Sequence, residues 1–101
     1  MVKHIILWQL KDEYSEEQKK EIRKGIKEGL EGLVGKVPGL KEVHVQTDFL
    51  ASSNADVMLD CTLEDEESLK GYAVHPAHVA VADSKVRPYT KTRVCMDYNI
   101  N

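Results

Sequence analysis

The sequence contains no long apolar segment. No uninterrupted apolar run, Ile5 to Trp8 included, is longer than four residues, whereas a helix that crosses a bilayer needs about 20. The first residues, Met1 to His4, have neither the hydrophobic region nor the cleavage signature of a secretion signal. We therefore expect no membrane partner and a cytoplasmic location.

Cysteine is scarce, and basic residues are fewer than acidic ones. The two cysteines, Cys61 and Cys95, have no CxxC spacing, which argues against a zinc site and, in a reducing compartment, against a disulfide. We expect both to be buried thiols. Lys and Arg number 14 against 17 Asp and Glu, for a net charge of −3. Because a phosphate-binding surface needs the opposite balance, no nucleic-acid partner is expected.

What remains is the composition of a small globular domain. The 101 residues include 42% hydrophobic and 31% charged residues, with 6 Gly and 3 Pro. This length fits a single domain over residues 1–101. A chain this short buries only about 60–65% of its unfolded surface, so a partner subunit would add considerable stability.

The apolar pattern predicts four strands and three helices. The first strand, 2–10, carries apolar side chains at both odd and even positions, which is typical of a strand covered on both faces. Alternation and turn residues predict further strands over 42–46, 56–63 and 87–98. Helices are expected from a capping box at Ser15 to the turn at Pro38, then over 64–74 and 76–86.

The first helix combines an apolar stripe with an unusual number of glycines. The stripe predicted to face the sheet consists of Ile22, Ile26, Leu30, Leu33 and Val34. Gly25, Gly29 and Gly32 lie along one edge of it. They indicate either close packing of the helix or a shallow wall beside a cavity, and packing is the commoner reason for interior glycines.

The element order β-α-β-β-α-β predicts an α+β, ferredoxin-like protomer. Right-handed crossovers place both helical segments on one face of a four-stranded antiparallel sheet. The opposite face then exposes either Ile5 and Leu7, or Ile6 and Trp8, depending on how the first strand is oriented. A second copy of the sheet is the simplest cover for such a face, so we expect a homodimer.

Reactive residue types are concentrated between Tyr72 and His78. The break at His75-Pro76 can direct Tyr72 and His78 from different helices into one space, where phenol and imidazole could exchange a proton with a carbonyl compound. The structural alternative makes His75 a helix cap, His78 a partly buried histidine with one hydrogen bond, and Tyr72 a core ring with a surface hydroxyl. Spacing alone favours the structural alternative.

A metal site at His75-x-x-His78 would need a third ligand, and no recognised spacing supplies one. We therefore predict no metal and no cofactor. His4 shares a strand face with Ile6 and Trp8, so a polar ring among apolar walls resembles the lining of a ligand pocket. A histidine near a strand end that reaches solvent is an equally acceptable interpretation.

Three segments together resemble the stress-responsive dimeric A/B barrel family: the opening VKHIILWQLKDE, the central HPAHV and the ending VCMDY. The resemblance implies a dimeric α+β barrel built from two ferredoxin-like protomers. Carried over from a polyketide-cyclising enzyme of that family, it implies His78 as general base and Tyr72 as the residue that polarises a carbonyl. A further pocket histidine of that enzyme is replaced here by Val57. The ligand contacts we predict are His4, Ile6, Trp8, Val43 and His75.

Two functions remain open at this point. The first is a non-catalytic dimeric module that binds a small molecule in a stress or metabolic context. The second is a cofactor-free cyclase, lyase or isomerase acting on a polyketide-like or other carbonyl compound. Convergence of His4, Tyr72 and His78 within hydrogen-bond reach of one enclosed cavity favours the enzyme, whereas a His78 that is exposed or bonded only to backbone removes most of the support for the enzyme.

Overall fold

The computed structural model describes residues 1–100 and contains four strands and three helices. The strands are β1 (Val2–Leu10), β2 (Leu40–Gln46), β3 (Val57–Leu63) and β4 (Thr90–Asn99). The helices are α1 (Glu16–Glu31), α2 (Glu66–Val74) and α3 (Pro76–Val81). Within residues 1–100, no helix is both long and apolar enough to cross a membrane.

The strands form one antiparallel sheet in the order β2-β3-β1-β4. Strand β1 lies in the interior and pairs with β3 on one side and β4 on the other, while β2 and β4 form the edges. This is the ferredoxin-like arrangement predicted from the element order. Strand β1 has the bounds that its apolar pattern predicts.

The two faces of β1 have opposite environments. Its even-numbered side chains, including His4, Ile6 and Trp8, are buried beneath the helices. Its odd-numbered side chains Ile5 and Leu7 lie on the other face, which no element of residues 1–100 covers, and Leu7 is 38% exposed. Of the two predicted orientations of the strand, the structure therefore has the one that leaves Ile5 and Leu7 outside.

Helix α1 begins as predicted but ends earlier. The Ser15 hydroxyl accepts a hydrogen bond from the Gln18 amide, and the Gln18 side chain accepts one from the Ser15 amide, completing the capping box. At the other end, the Gly32 amide donates to the carbonyl oxygen of Glu28, and the chain then turns through Gly35 at φ +90°. Because α1 ends at Glu31, Val34 is exposed, and its predicted place on the stripe is wrong.

The segment after α3 also differs from the expectation. A continuous helix was predicted to Val86, but α3 gives way to a π-helical turn over Ala82–Val86 and a 3₁₀ turn over Arg87–Tyr89. Strand β4 consequently begins at Thr90 rather than at residue 87. Pro88 within the 3₁₀ turn has no amide hydrogen to donate to a strand ladder, which explains the later start.

The glycines of α1 allow close packing against α3 and the π-helical turn. A Cβ atom added at Gly29 would stand 2.8 Å from Cγ1 of Val81, whereas one added at Gly25 would stand 3.7 Å from Cδ of Lys85. The packing interpretation therefore holds for Gly29, although its neighbour is a helix rather than the sheet.

The two cysteines have different surroundings. Both are free thiols, as expected, and Cys61 is buried in the core. Cys95 is exposed, which corrects the prediction that both are buried. It lies on edge strand β4, over which the helices of the chain do not extend.

The close approach at Gly29 predicts opposite effects of two alanine substitutions. Gly25→Ala should raise the free energy of unfolding by about 0.5–1 kcal/mol, because alanine loses less backbone entropy in a helix. Gly29→Ala should be less stable than Gly25→Ala by at least about 1 kcal/mol, the usual cost of overpacking. Urea denaturation of both variants measures the difference.

A Val81→Ala background provides the control, because it removes the atom that the new Cβ would meet. There, the two alanine substitutions should have equal effects. Equal effects in the wild-type background would contradict the packing assigned to Gly29.

Candidate functional site

A cavity of about 170 Å³ lies between the helix-facing side of the sheet and the helices α2 and α3. Its apolar lining consists of Ile6, Trp8, Leu30, Leu59, Leu69, Ala73, Ala82 and Val86. Its polar lining consists of His4, Tyr72, His78, Arg87, Thr90 and Arg93. Typical ligand pockets measure about 300–1,000 Å³, so this one suits a compact ligand.

A larger groove of about 450 Å³ lies elsewhere, along the outer side of α1 beside Tyr14 and Tyr89. Its other lining residues are mainly exposed charged and polar side chains of α1. None of the four histidines lines this groove. We therefore place the candidate site in the smaller cavity, because the chemistry of its lining side chains is a stronger criterion than the size of the groove.

The structure brings His4, Tyr72 and His78 to the same cavity. The rings of Tyr72 and His78 have their centroids 4.2 Å apart, and those of Tyr72 and His4 are 5.9 Å apart in an edge-on arrangement. His4 comes from β1, Tyr72 from α2 and His78 from α3. The three therefore meet only because the sheet and the two helices pack together.

The helix junction between Tyr72 and His78 explains their proximity. His75 ends α2 with an extended backbone, and its Nδ1 accepts a hydrogen bond from the Ala77 amide at the start of α3. Pro76 occupies the first turn, where its missing amide hydrogen is of no consequence. The predicted capping role of His75 is confirmed, and the break directs Tyr72 and His78 toward one space.

Tyr72 is the most deeply buried polar side chain of the site. It is 1% exposed, and its hydroxyl oxygen accepts a weak hydrogen bond from the Cys61 thiol at 3.9 Å. Its hydroxyl does not reach the surface, contrary to the structural alternative considered for it. Burial, and next the Cys61 thiol, raise the pKa of Tyr72, and burial raises the pKa of Cys61 to about 12. Both groups are therefore protonated at neutral pH.

His78 is partly buried and makes one hydrogen bond. Its Nδ1 lies 3.3 Å from the carbonyl oxygen of Ala73. Burial lowers the pKa of His78, and the charges of Arg87 and Arg93 lower it further, against the opposing effect of the carbonyl. The shared cavity therefore supports the enzyme, whereas the hydrogen bonding of His78, which within residues 1–100 is to backbone alone, supports the non-catalytic module.

His4 is held on its other side by a hydrogen bond to a side chain of β4. Its Nδ1 lies 2.5 Å from Oδ1 of Asp97, and the Cys95 sulfur lies 3.7 Å from the same nitrogen. The His4 side chain is 9% exposed and that of Asp97 is 42% exposed. The contact between His4 and Asp97 therefore connects the buried cavity with the solvent-exposed edge strand β4.

Two of the predicted ligand contacts lie elsewhere. Val43 is packed against the core from β2, and His75 is used as a helix cap, so neither is among the residues that line the cavity. Conversely, no local pattern in the sequence indicated Arg87, Arg93 or Asp97. Only the pairing of β4 with β1 brings Arg93 opposite Trp8 and Asp97 opposite His4.

Comparison with known proteins matches this chain to one family. The model of the stress-responsive A/B barrel domain matches residues 2–100. Olivetolic acid cyclase from Cannabis sativa is 31% identical over 100 residues, which cover 96% of this chain and 94% of the enzyme.

Solved structures show the same fold. A dimeric protein of unknown function from Bacteroides fragilis superposes with a TM-score of 0.91 and 28% identity, covering 98% of this chain and 95% of that one. A hydroxynitrile lyase from Passiflora edulis has a TM-score of 0.73 at 20% identity, over 99% of this chain and 93% of the lyase, and shows likeness of fold alone.

The lowered pKa of His78 predicts a pH dependence of stability. The ordinary pKa of a histidine is 6.5, and that of folded His78 is lower. As the pH falls below about 6.5, the unfolded state binds more protons, so His78 makes the free energy of unfolding fall. An NMR titration should place the His78 midpoint below 6.5, and His78→Gln should reduce the loss of stability between about pH 7 and pH 5. A midpoint at or above 6.5 would contradict this.

Proposed function

The chain belongs to the stress-responsive A/B barrel domain family, and we propose that it binds a small carbonyl compound in the cavity of each protomer and moves a proton from it. Family membership alone does not fix this reaction, because a cyclase and a hydroxynitrile lyase share the fold. The proposal depends instead on the protonation states of the side chains that line the cavity.

The single observation that carries the proposal is the convergence of His4, Tyr72 and His78 on one cavity. The hydrogen bond between His78 and Ala73 then fixes the tautomer of the His78 ring. A carbonyl oxygen only accepts hydrogen bonds, so Nδ1 carries the hydrogen in the neutral ring. The lone pair is then on Nε2. Burial lowers the pKa and so favours this neutral form near pH 7. His78 therefore has the tautomer and the charge that a general base requires.

Tyr72 supplies the complementary acid. Its hydroxyl accepts from the Cys61 thiol, and its raised pKa keeps the phenol protonated. That proton can be donated to the oxygen of a bound carbonyl. As His78 removes a proton from the carbon beside the carbonyl, negative charge develops on the oxygen, and a hydrogen bond from Tyr72 stabilises it.

The size and charge of the cavity limit the class of substrate. A volume of about 170 Å³ excludes a long extended chain and favours a compact carbonyl compound over a polyketide. Arg93 lines the cavity and makes no ion pair among residues 1–100, while Arg87 pairs with Asp83. An unpaired guanidinium at the cavity favours a substrate with an anionic or strongly polar end.

One observation supports binding without catalysis as a second candidate. No carboxylate contacts His78 within residues 1–100, so the imidazolium formed by proton abstraction would lack the charged partner that many histidine bases have. A protein that only binds its ligand needs no such partner. The two candidates differ in whether the cavity accelerates proton removal.

Proton exchange measured by NMR separates the two candidates and does not require the natural substrate. The protein is mixed in D₂O with a panel of small 1,3-dicarbonyl and β-keto acid compounds, and loss of the proton between or beside the carbonyls is followed. We expect acceleration for at least one compound. His78→Gln should lower that rate by about 10²–10⁴-fold, the usual contribution of a general base.

His44→Gln is the matched control, because the His44 side chain is 57% exposed and lies outside the cavity. It should leave the exchange rate unchanged. Equal rates for wild type and His78→Gln would remove the proposed base and leave only binding.

We also propose that the protein is a homodimer formed through the uncovered face of its sheet. On this face, Leu7 lies opposite Val94 and Ile5 opposite Met96. Val94, Met96 and Tyr98 are 57%, 66% and 45% exposed in the single chain. Clustered apolar exposure of this kind marks an interface, and the similar Bacteroides fragilis protein is dimeric.

The dimer is tested by the molecular mass in solution. Light scattering should give twice the chain mass of 11.4 kDa for the wild type. Val94→Lys combined with Met96→Lys should give one chain mass or an unfolded chain, because two charges per protomer would have to be buried in the interface.

Val74→Lys serves as the control, because Val74 is 73% exposed on α2, on the helical side of the protomer. That variant should remain a dimer. A folded wild-type monomer at high concentration would contradict the assembly.

A further inference from the structure

We propose that His4, Cys95 and Asp97 form a three-ligand site for a divalent cation of the zinc class. Within residues 1–100, they are a group of His, Cys and acidic side chains whose potential ligand atoms all lie within 4.8 Å of one another. His4 and Asp97 are directly paired across β1 and β4. Cys95 lies two residues before Asp97, on the same side of the strand.

Two of the three distances between the ligand atoms fit the tetrahedral coordination of a zinc ion. With zinc bonds of about 2.3 Å to sulfur and about 2.0–2.1 Å to nitrogen and oxygen, tetrahedral geometry requires about 3.5 Å between sulfur and either other ligand. The Cys95 sulfur lies 3.7 Å from His4 Nδ1 and 3.5 Å from Asp97 Oδ1.

The third distance, between His4 Nδ1 and Asp97 Oδ1, must lengthen before an ion can bind between these atoms. His4 Nδ1 and Asp97 Oδ1 are hydrogen-bonded at 2.5 Å, whereas an ion between them needs about 3.3 Å. Asp97 can supply this movement because its side chain is 42% exposed on edge strand β4. Binding replaces the hydrogen of the Cys95 thiol with the metal, and that proton leaves to solvent, while the neutral His4 ring binds through Nδ1 in the tautomer that has its hydrogen on Nε2.

The ligand types select the class of cation. One imidazole nitrogen, one thiolate sulfur and one carboxylate oxygen suit zinc and its neighbours, whereas magnesium and calcium require oxygen ligands. Cys95 is exposed and the Asp97 side chain is 42% exposed, so solvent can reach the site and a water can complete the tetrahedron. Cys61, the other thiol, is fully buried and has no such set of partners within residues 1–100.

This site goes beyond the proposed proton transfer and does not depend on it. His4 is the one residue that the two share, since its ring also lines the cavity. An ion on Nδ1 would fix the orientation of that ring from outside the cavity. The binding of a metal and the removal of a proton by His78 can therefore be tested separately.

Cobalt(II) is a direct probe, because a cobalt–thiolate bond gives a charge-transfer absorption that bonds to nitrogen and oxygen do not. The reduced full-length protein should bind one cobalt per chain with this absorption, and zinc should displace it. Cys95→Ala should abolish the absorption and weaken zinc binding on the order of 100-fold, since even the loss of outer-shell contacts costs about 10–100-fold.

Two further variants complete the test. Asp97→Asn should retain the thiolate absorption but bind more weakly, because the amide can still accept from His4 while it ligates poorly. His44→Ala, which removes an exposed histidine outside the group, should bind as the wild type does. Circular dichroism confirms that each variant is folded. No thiolate absorption in the wild type, or the same absorption in Cys95→Ala, would overturn the proposal.

Discussion

The structure depends on burying both faces of strand β1. Its even-numbered side chains enter the core beneath the helices, while Ile5 and Leu7 face outward with the apolar side chains of β4. A single layer of helices can satisfy only the first of these faces. The second face requires another apolar surface of similar shape, and a copy of the same sheet provides one. The cavity and the proposed dimer interface are thus opposite sides of the same strand.

The cavity exists because the helical layer is broken where it passes over β1. A continuous helix from α2 onward would carry Tyr72 and His78, six residues apart, on different faces of one cylinder. The extended backbone at His75 and the proline that follows divide it, so that each ring approaches the cavity from its own helix. The π-helical turn over Ala82–Val86 then contributes two small apolar residues to the lining, in keeping with the frequent occurrence of such turns at functional sites.

Local signals in the sequence were sufficient for most of the fold. The capping box at Ser15, the cap at His75 and the apolar pattern of β1 each depend on residues close together in the chain, and the structure confirms them. The errors arose where contacts between residues far apart in the sequence determine the structure. Leu33 remains in the core after α1 has ended, so the apolar spacing extended the predicted helix too far. Cys95 was assigned to the interior because nothing local shows that helices leave β4 uncovered.

The same distinction applies to the site. His4 could be placed on the pocket face by alternation along one strand, and Tyr72 and His78 by a break within seven residues. Arg93 and Asp97 could not, since their positions depend on the register between β1 and β4, whose paired residues His4 and Asp97 are 93 apart in sequence.

The roles of His4 and His78 are predictions, but the surroundings of their Nδ1 atoms suit the two rings to different chemistry. His78 has its Nδ1 bonded to a neutral carbonyl, which leaves an uncharged ring in contact with the cavity. His4 has its Nδ1 directed at the Asp97 carboxylate and the Cys95 thiol on edge strand β4. The first arrangement suits removal of a proton from a ligand, and the second suits binding of a cation, so two histidines lining one cavity are prepared for different chemistry by the acceptors on their Nδ1 atoms.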